Sequence, residues 1–394
     1  MAEIFTVPCT RGAEAPLAAE LKRMGLQRVV EDRGAVHFRG KREDGMRACM
    51  WTRIGSRVLL RIARFDAPHA DALYEGVQSI DWSEHLRFDD DLWIDFVGTS
   101  RTIRTDLFGA QRTKDAIVDQ LRTPSGARPG VDRRSPDVTI HVHLRNSVAT
   151  VSIDLSGPAL YARTPGREVG NAPLKETLAA TILHLAGWPD RMRTGAPLVD
   201  PMCGSGTFIL EAAGMALDRA PGLSRRRWGF GSWRGHEHST WKAIVAEANE
   251  RAEAAPPIEG LIVGYDSDAR AVRAAQKNQQ VLKLTGPVFK ARPLKDLQPE
   301  GGQPGLLVTN PPYGERLEHT EELQALHGHL GDMLRQRMLG WDAFVFTRAG
   351  VLSKSVGLKT ERRHILHNGP LECRLLQFAI ADKPPKRFQT AAND

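Results

Sequence analysis

The chain has 394 residues, enough for two or three domains that each bury a core. Its 41% hydrophobic and 26% charged residues are ordinary for a globular protein, no apolar run is long enough to span a bilayer, and the start lacks a secretory signal pattern. These features predict a soluble, cytoplasmic protein without a membrane partner. The net charge of +7 and pI of about 9.4 weakly favour contact with phosphate backbones.

The cysteine and histidine positions predict no metal site. Cys9, Cys49, Cys203 and Cys373 are far apart and lack the paired spacing of metal ligands or of a disulfide framework. His141 and His143 fall on one face of a predicted strand. We interpret this pair as exposed strand residues in preference to ligands.

The first part of the chain alternates between strand and helix patterns. We predict a strand over Ile4 to Cys9, helices over Glu14 to Met24 and over Glu43 to Ala63, and a hairpin over Val29 to Phe38. A second α+β unit follows, with a strand over Leu92 to Val97, a helix over Lys114 to Leu121, a turn-rich stretch over Pro124 to Pro136, and a hairpin of Val138 to Leu144 with Val151 to Leu155.

Beyond a linker, short apolar runs alternate with helical stretches. The runs are Leu198-Val199, Leu261 to Gly264, Leu306 to Thr309 and Phe344 to Thr347. This order predicts a doubly wound α/β domain, with a parallel sheet covered by helices on both faces.

The first of these strands runs into a glycine-rich loop. Asp200 ends the strand, Gly204 and Gly206 permit a sharp turn close to a ligand, and a helix starts near Phe208. A G-x-G alone is common in tight turns, but the string from Asp200 to Thr207 is more specific. It lacks the lysine of a P-loop and the third glycine of the dinucleotide fingerprint, which suits a nucleoside cofactor without pyrophosphate.

The next strand ends at Asp266, where a carboxylate can accept hydrogen bonds from both hydroxyls of a ribose. The gap from the glycine loop is longer than usual because of an insertion at about Arg219 to Ala255. Its basic and aromatic residues, Arg225, Arg226, Arg227, Trp228, Phe230 and Trp233, suit RNA and equally suit a packed aromatic cluster beside solvated arginines. Asp296, before Leu297, is a weaker candidate for the adenine amine.

Asn310-Pro311-Pro312-Tyr313 follows the third strand and is the most informative stretch. An exocyclic amine is a poor nucleophile because its lone pair is delocalised into the ring. The Asn310 side-chain oxygen and the Pro311 carbonyl can hold the two amine hydrogens, the prolines fix these acceptors, and Tyr313 can stack on a base swung out of its helix. We expect direct in-line methyl transfer to nitrogen, with neither a covalent nucleophile nor a strong base.

These residues resemble the THUMP-containing guanine-N2 RNA methyltransferases, especially the RlmL-type enzymes of bacterial 23S ribosomal RNA. The likeness covers nearly the whole chain. It includes Arg57 to Leu60, Gly76 to Trp82, Lys114 to Asp119, Leu155 to Gly157, Pro173 to Ala180, Asp200 to Thr207, Arg219 to Leu223, Arg227 to Phe230, Asp266 to Arg270 and Asn310 to Leu317.

The resemblance implies a ferredoxin-like domain over residues 1–65, a THUMP RNA-binding domain over 66–157, a linker over 158–170, a Rossmann-like class I methyltransferase domain over 171–385 and a tail over 386–394. It implies S-adenosyl-L-methionine as cofactor and 23S ribosomal RNA, or a large-subunit assembly intermediate, as partner. Some enzymes of this type carry a second, C-terminal methyltransferase domain that modifies another guanine. Because this sequence ends too early to include it, we expect a single activity.

Residue roles also follow from the resemblance. Asp200, Cys203, Gly204, Gly206 and Thr207 would line the methionine side of the cofactor, Asp266 would hold the ribose and Asp296 the adenine, and Asn310, Pro311 and Tyr313 would hold the target amine. The predicted cofactor-binding set also includes Ser205, Ser267, Leu297 and Asn310. Candidate RNA contacts are Arg101, Arg104, Arg112 and Lys114, together with Arg225, Arg226 and Arg227.

Three alternatives stay open. A guanine-N2 methyltransferase of transfer RNA shares the fold, the cofactor and the tetrapeptide. An adenine-N6 DNA methyltransferase uses the same tetrapeptide, although an N-terminal RNA-binding unit argues against DNA. A non-catalytic RNA chaperone would retain the fold, but the intact glycine loop, Asn310 and Tyr313 argue for catalysis.

Overall fold

The computed structural model describes residues 2–163, 166–169, 174–298, 303–312, 321–348 and 354–381. The chain divides into two compact units. The first unit comprises residues 1–9, 18–160 and 225–246, and the second unit comprises residues 10–17, 161–224 and 247 onwards. The segment Arg225–Ala246, inserted between two strands of the second unit, therefore packs as part of the first.

One mixed sheet of eight strands forms the first unit, in the order β2-β3-β1-β4-β8-β7-β5-β6. The strands are β1 (Glu3–Pro8), β2 (Gln27–Asp32), β3 (Ala35–Gly40), β4 (Leu59–Asp66), β5 (Asp91–Val97), β6 (Gly130–Val131), β7 (Val138–Arg145) and β8 (Val148–Asp154). The helices along this part of the chain are α1 (Glu14–Arg23), α2 (Arg42–Trp51), α3 (Ala70–Gln78) and α4 (Asp106–Leu121).

The two α+β pieces expected from the sequence share this one sheet. Strand β4 pairs with β8, with Leu60 opposite Ile153, and so joins the first four strands to the last four. Alternate residues of the strands are buried, as in Val138–Arg145, because one face of the sheet packs on the core. Phe5 and Phe38 stack there with ring centroids 4.8 Å apart.

The helix predicted over Glu43 to Ala63 is wrong in its second half. Helix α2 ends at Trp51, and the chain then enters strand β4 at Leu59. The apolar residues of this stretch satisfy helical spacing, but Leu59 and Leu60 are buried between the neighbouring strands β1 and β8. Tertiary pairing therefore overrides the local period.

A seven-stranded sheet forms the second unit, in the order β11-β10-β9-β12-β13-β15-β14. The strands are β9 (Leu198–Asp200), β10 (Ile262–Asp266), β11 (Val288–Ala291), β12 (Leu306–Thr309), β13 (Asp342–Arg348), β14 (Arg362–Asn368) and β15 (Leu371–Ala379). The remaining helices are α5 (Glu176–Leu185), α6 (Trp188–Arg191), α7 (Thr207–Ala216), α8 (His238–Ala254), α9 (Ala269–Leu282) and α10 (Glu321–Arg337).

The predicted fold class is confirmed. Strands β9 to β13 are parallel, and β15 is antiparallel to both of its neighbours, β13 and β14. Strands β9 and β12 are buried at every residue, as expected for the centre of a sheet that is covered on both faces. Within the described ranges, none of the helices is both long enough and apolar enough to cross a membrane.

Candidate active site

The ends of three neighbouring strands bring the predicted site residues together. Strand β9 lies between β10 and β12, and the chain order reverses at this point of the sheet. Asp200 and Asp266 end β9 and β10, and Asn310 follows β12 directly. An open parallel sheet binds its ligand at this position, outside the carboxyl ends of the strands where the order switches.

The glycine-rich loop is held by backbone hydrogen bonds. The Cys203 amide donates to the Tyr265 carbonyl at 2.8 Å, and the Gly206 amide donates to the Cys203 carbonyl at 2.8 Å. Gly206 has φ +85° and precedes α7, and a Cβ there would lie 3.0 Å from the Cβ of Ala275. Both the conformation and the close packing therefore require glycine.

Gly264 on strand β10 lets the same loop lie against the sheet. A Cβ at this position would come within 3.0 Å of the Cys203 side chain and 2.8 Å of the Phe289 ring. Gly204 and Gly206 can be predicted from the local sequence, but Gly264 cannot. Its contact joins strand β10 to the loop that follows the neighbouring strand β9, so no local pattern indicates it.

Asp266 ties the loop to the neighbouring strand. One oxygen of its carboxylate accepts from the Gly204 amide at 2.9 Å, and the other accepts from the Asp268 amide at 2.9 Å. Each oxygen retains a further lone pair that can accept a hydroxyl. The residue predicted to hold a ribose is thus positioned at the cavity described below, with its orientation fixed by main-chain donors.

Asp200 is a buried acid with an altered ionisation. Only 2% of the residue is exposed. Burial is the main reason that the pKa of its carboxyl is raised to about 7; the hydrogen bond from the Met202 amide opposes this shift, and the nearby charge of Asp266 contributes to it. Desolvation disfavours the charged form. This acid therefore changes its charge close to neutral pH.

We expect Asp200→Asn to gain stability relative to the parent chain as pH rises. Because the folded pKa lies above the ordinary value of 3.8, the folded chain binds more protons than the unfolded chain between about pH 4 and 7, and stability falls as pH rises through that window. Asparagine cannot ionise. The difference in unfolding free energy should be small near pH 4 and largest above about pH 7 in denaturant titrations.

The matched control is Asp190→Asn, which removes a carboxylate that is 75% exposed. Its effect should stay within about 0.5 kcal/mol at every pH. A constant difference between D200N and the parent chain from about pH 4 to 8 would contradict the assignment of a raised pKa to Asp200.

The thiol of Cys203 stays protonated near neutral pH. Burial raises the pKa of its thiol well above the ordinary value, and the charges of Asp200 and Asp266 raise it further. The thiolate is the nucleophilic form of cysteine, so a protonated Cys203 suits packing against Gly264. This agrees with the expectation that the reaction uses no covalent nucleophile.

A cavity of about 900 Å³ opens above these strand ends. Nine of the residues predicted for the site line this cavity, namely Asp200, Cys203, Gly204, Ser205, Thr207, Asp266, Ser267, Asn310 and Pro311. One face of α10 supplies further lining that the sequence analysis missed, namely Leu326, His329, Asp332, Met333, Gln336 and Arg337. Their spacing of three and four residues was the available signal, but nothing in that spacing indicates which surface a helix faces.

Asn310 lines this cavity and carries a buried side-chain acceptor. Its side-chain Oδ1 is buried, and among the described residues it has no hydrogen-bond partner. A buried oxygen without a donor is costly, by about 1–3 kcal/mol. It is the atom predicted to hold an amine hydrogen of the substrate.

Other predicted residues lie beside the cavity or outside the described ranges. Asp296 is exposed, its neighbours Leu294 and Lys295 line the cavity, and Leu297 is fully buried in the core. Contact of Asp296 and Leu297 with the adenine remains a prediction. Tyr313, like the predicted tail at 386–394, lies outside the residues that the structure describes.

A buried asparagine supports the glycine loop from α9. Asn278 is fully buried, its amide nitrogen donates to the carbonyls of Ser205 at 3.1 Å and Glu168 at 2.9 Å, and its oxygen accepts from the Glu168 amide at 2.9 Å. Arg167, which precedes Glu168, donates to the Thr207 hydroxyl and pairs with Glu176 at 2.8 Å. No sequence pattern predicts a role for Asn278 or Arg167, because each of these contacts joins distant parts of the chain.

Replacing Asn278 by Leu should destabilise the second unit by about 1–3 kcal/mol, because it leaves part-buried main-chain groups of Ser205 and Glu168 without these partners. Denaturant midpoints measure the loss. Gln276→Leu on the same helix is the matched control, since Gln276 is exposed and should change stability by less than about 0.5 kcal/mol. Equal midpoints for N278L and the parent chain would contradict the anchoring role.

The candidate RNA-contacting residues fall in the first unit. Arg101 and Arg104 are exposed just before α4. Arg112 bonds Asp71 at 2.7 Å and lies over the Tyr74 ring at 4.3 Å, and Lys114 pairs with Asp115 at 2.6 Å. These four cations remain predicted RNA contacts.

The inserted segment combines both expected features. Arg225 donates to the Ser156 and Ala159 carbonyls at 3.1 Å, Arg227 donates to the Ser135 carbonyl at 3.0 Å, and Arg226 is exposed. Phe230 and Trp233 are buried, at 1% and 4% exposure. The aromatic residues thus form a packed cluster, while RNA contact by the three arginines stays a prediction. No group of three or more potential metal ligands is found among the described residues.

Three parts of the chain match known protein families. Residues 165–377 match the RMKL-like methyltransferase domain, residues 67–154 match the THUMP domain, and residues 4–59 match the RlmL ferredoxin-like domain. A curated relative from Syntrophotalea carbinolica, named ribosomal RNA large subunit methyltransferase K/L, is 43% identical over 383 residues. That match covers 96% of this chain and 54% of the relative, so the chain spans about half the length of the curated relatives it matches.

Solved structures match over almost the full length. SMU.472, assigned as a methyltransferase and crystallised with SAH, aligns with a TM-score of 0.85 and 29% identity over 98% of this chain and 99% of its own. A protein from Listeria monocytogenes, described as a predicted N6-adenine-specific DNA methylase, aligns with a TM-score of 0.83 and 28% identity over 98% and 97%.

Proposed function

The chain belongs to the RMKL-like methyltransferase family, and from that premise we propose that it transfers a methyl group from S-adenosyl-L-methionine to the exocyclic N2 amine of a guanine in 23S ribosomal RNA. The observation that carries the proposal is the buried Oδ1 of Asn310, which has no hydrogen-bond partner among the described residues and belongs to a residue that lines the 900 Å³ cavity at the switch point of the sheet. An acceptor in that place suits the N–H of an amine.

The cavity fits the proposed cofactor. Its glycine loop closes against Gly264 where a Cβ would obstruct it, and Asp266 is already oriented by two main-chain donors. The loop from Asp200 to Thr207 would hold the methionine part and Asp266 the ribose. When bound, S-adenosyl-L-methionine supplies an electrophilic methyl group. SMU.472, crystallised with SAH, supports this assignment.

The residues of the chain then prepare the amine. Asn310 Oδ1 and the Pro311 carbonyl would accept its two hydrogens, which lets the nitrogen lone pair leave conjugation with the ring. Pro311 fixes the backbone, so the acceptors need little reorganisation. The amine becomes acidic once it is alkylated, and its proton can pass to water.

RNA is the substrate class that the whole chain supports best. The THUMP match and the curated relative named for large-subunit ribosomal RNA both favour RNA, and the second favours ribosomal over transfer RNA. The Listeria protein, described as acting on adenine N6 of DNA, keeps the DNA alternative worth a direct test. A cytoplasmic location agrees with a ribosomal RNA substrate.

The test is incorporation of a labelled methyl group by the full chain into three substrates in parallel: protein-free 23S ribosomal RNA, bulk transfer RNA and duplex DNA. We expect label in the ribosomal RNA, with the other two at least about tenfold lower. Preferential labelling of transfer RNA would contradict the choice of RNA, and preferential labelling of DNA would contradict the substrate class.

A further inference from the structure

A second cavity, of about 320 Å³, lies in the first unit, whereas the proposed catalytic residues belong to the second unit. Its lining includes four arginines, two indole rings and two carboxylates: Arg57, Arg133, Arg134, Arg227, Trp93, Trp228, Asp95 and Asp137. Trp93 and Asp95 come from strand β5, the two consecutive arginines precede strand β7, and Trp228 comes from the inserted segment. No role in the proposed methyl transfer accounts for this cavity.

Two arginines fix the walls of this cavity. Arg57 pairs with the buried Asp154 and donates to the Gly157 carbonyl at 2.6 Å. Arg227, also in the lining, donates to the carbonyls of Ser135 and Pro136. Their guanidinium groups are therefore already engaged, and they hold the inserted segment and the stretch before β7 in place.

The other two arginines are available to a ligand. Arg133 and Arg134 are exposed, and within the described residues neither guanidinium group has a hydrogen-bonding or ion-pairing partner. The Arg133 guanidinium lies 5.5 Å from the centre of the Trp93 ring. Two free cations beside an indole form a site for a phosphate group next to a flat ring.

Strand β5 supplies an acceptor on the same face as the indole. Trp93 and Asp95 are two residues apart, so their side chains leave the same side of the strand, and both are half-buried. Trp93 lies opposite Thr139 on β7, whose side chain also lines the cavity. The Asp95 carboxylate can accept N–H groups, which a nucleobase offers and a simple phosphate lacks.

We propose that this cavity binds one unpaired nucleotide of the RNA substrate. Arg133 and Arg134 hold its phosphate, the base stacks on the surface formed by Trp93 and the Arg133 guanidinium, and Asp95 accepts an N–H of the base. A cavity of this size suits one nucleotide. Bases stacked inside a duplex cannot enter it, so single-stranded or looped RNA is selected. The proposal rests on RNA being the substrate under the proposed function.

The test measures binding of the full chain to a fluorescein-labelled single-stranded RNA of mixed sequence, about 12 nucleotides long, by fluorescence anisotropy. Arg133→Gln with Arg134→Gln should weaken binding about tenfold or more and reduce the slope of log affinity against log salt by about 0.7, as expected for the loss of one neutralised phosphate on a single strand. Trp93→Leu should weaken binding about fivefold to a hundredfold through lost stacking. A blunt duplex of the same sequence should compete at least about tenfold more weakly than the unlabelled single strand.

The matched control is Lys22→Gln with Arg33→Gln, which also removes two positive charges from exposed positions of the first unit. Arg33 lies between β2 and β3 at one edge of the sheet, whereas Arg133 and Arg134 follow β6 at the other edge. This control should change affinity by less than about threefold. Equal losses in both double variants would overturn the proposal, because they would indicate a general charge effect.

Two further readouts separate this proposal from the proposed function. Binding of S-adenosylhomocysteine by calorimetry should be unchanged in every variant, which shows that the second unit is intact, and unchanged denaturant midpoints should show that the first unit is folded. If the parent chain methylates RNA while R133Q/R134Q binds the single strand as tightly as the parent, the nucleotide site is overturned and the methyltransferase assignment stands. If R133Q/R134Q loses RNA binding but the parent transfers no methyl group, the nucleotide site stands and the methyltransferase assignment fails.

Discussion

Asn310→Ala should lower kcat for methyl transfer to RNA by about 10²–10³-fold or more. The buried Oδ1 of Asn310 is the acceptor proposed to hold one amine hydrogen, and alanine leaves that hydrogen without a partner in the transition state. RNA affinity by anisotropy should change by less than about threefold, because the lost interaction is made mainly in the transition state. The measurement is single-turnover transfer at saturating cofactor and RNA.

The matched variant is Asn310→Asp, which keeps an acceptor oxygen at the same position with almost the same volume. It should retain clearly more activity than N310A, because a carboxylate oxygen can also accept an amine hydrogen. A purely structural role would predict similar losses in both variants, with a lower unfolding midpoint. Full activity in N310A would refute the mechanism and would favour a non-catalytic RNA-binding protein.

Asp266→Ala should weaken cofactor binding by about 10–100-fold or more, measured by calorimetry with S-adenosylhomocysteine. Charge-assisted hydrogen bonds contribute about 1.5–3 kcal/mol each, and this carboxylate is proposed to accept from ribose hydroxyls while it holds the Gly204 amide. At saturating cofactor, kcat should recover most of its parent value. We therefore expect a higher KM for the cofactor and a nearly unchanged kcat.

The control is Asp268→Ala, which removes the same charge two residues further on, from a residue that also lines the cavity but has no predicted contact with the cofactor. Asp268 accepts from the Arg270 amide at 2.8 Å and caps helix α9. Its loss should lower stability by about 1 kcal/mol, and cofactor affinity should fall by less than about threefold. Equal losses of affinity in D266A and D268A would contradict the assignment of the ribose to Asp266.

The site residues that could be predicted from the sequence are those that end a strand or directly follow one. Asp200, Asp266 and Asn310 each end or follow a short apolar run, and parallel strands place their carboxyl ends at one edge of a sheet. A sequence can therefore indicate that such residues meet even when more than a hundred positions separate them.

The supporting contacts could not be predicted because they depend on tertiary packing. Asn278 is an ordinary polar residue in a helical pattern, and only the fold shows it buried against Ser205 and Glu168. Gly264 is another such case, since its need for glycine comes from the Cys203 side chain. The same holds for the α10 face that lines the cavity.

The inserted segment explains an unusual spacing in the sequence. The acidic strand end normally follows the glycine loop by about 20 residues, whereas here Arg225–Ala246 intervenes and packs in the first unit. Composition alone supported RNA contact and aromatic packing equally for this stretch. The buried Phe230 and Trp233 favour packing for the aromatic residues, and the cavity beside Trp228 and Arg133 is where we infer that a nucleotide binds.

If Asn310 and Pro311 hold the exocyclic amine of a guanine, the methyl group must end on that amine, and the product nucleoside shows whether it does. RNA methylated by the full chain would be digested to nucleosides and analysed by mass spectrometry against authentic standards. We expect N2-methylguanosine, which N310A should fail to produce. A methyl group on a ring nitrogen, a ring carbon or the ribose 2′-oxygen would contradict this expectation.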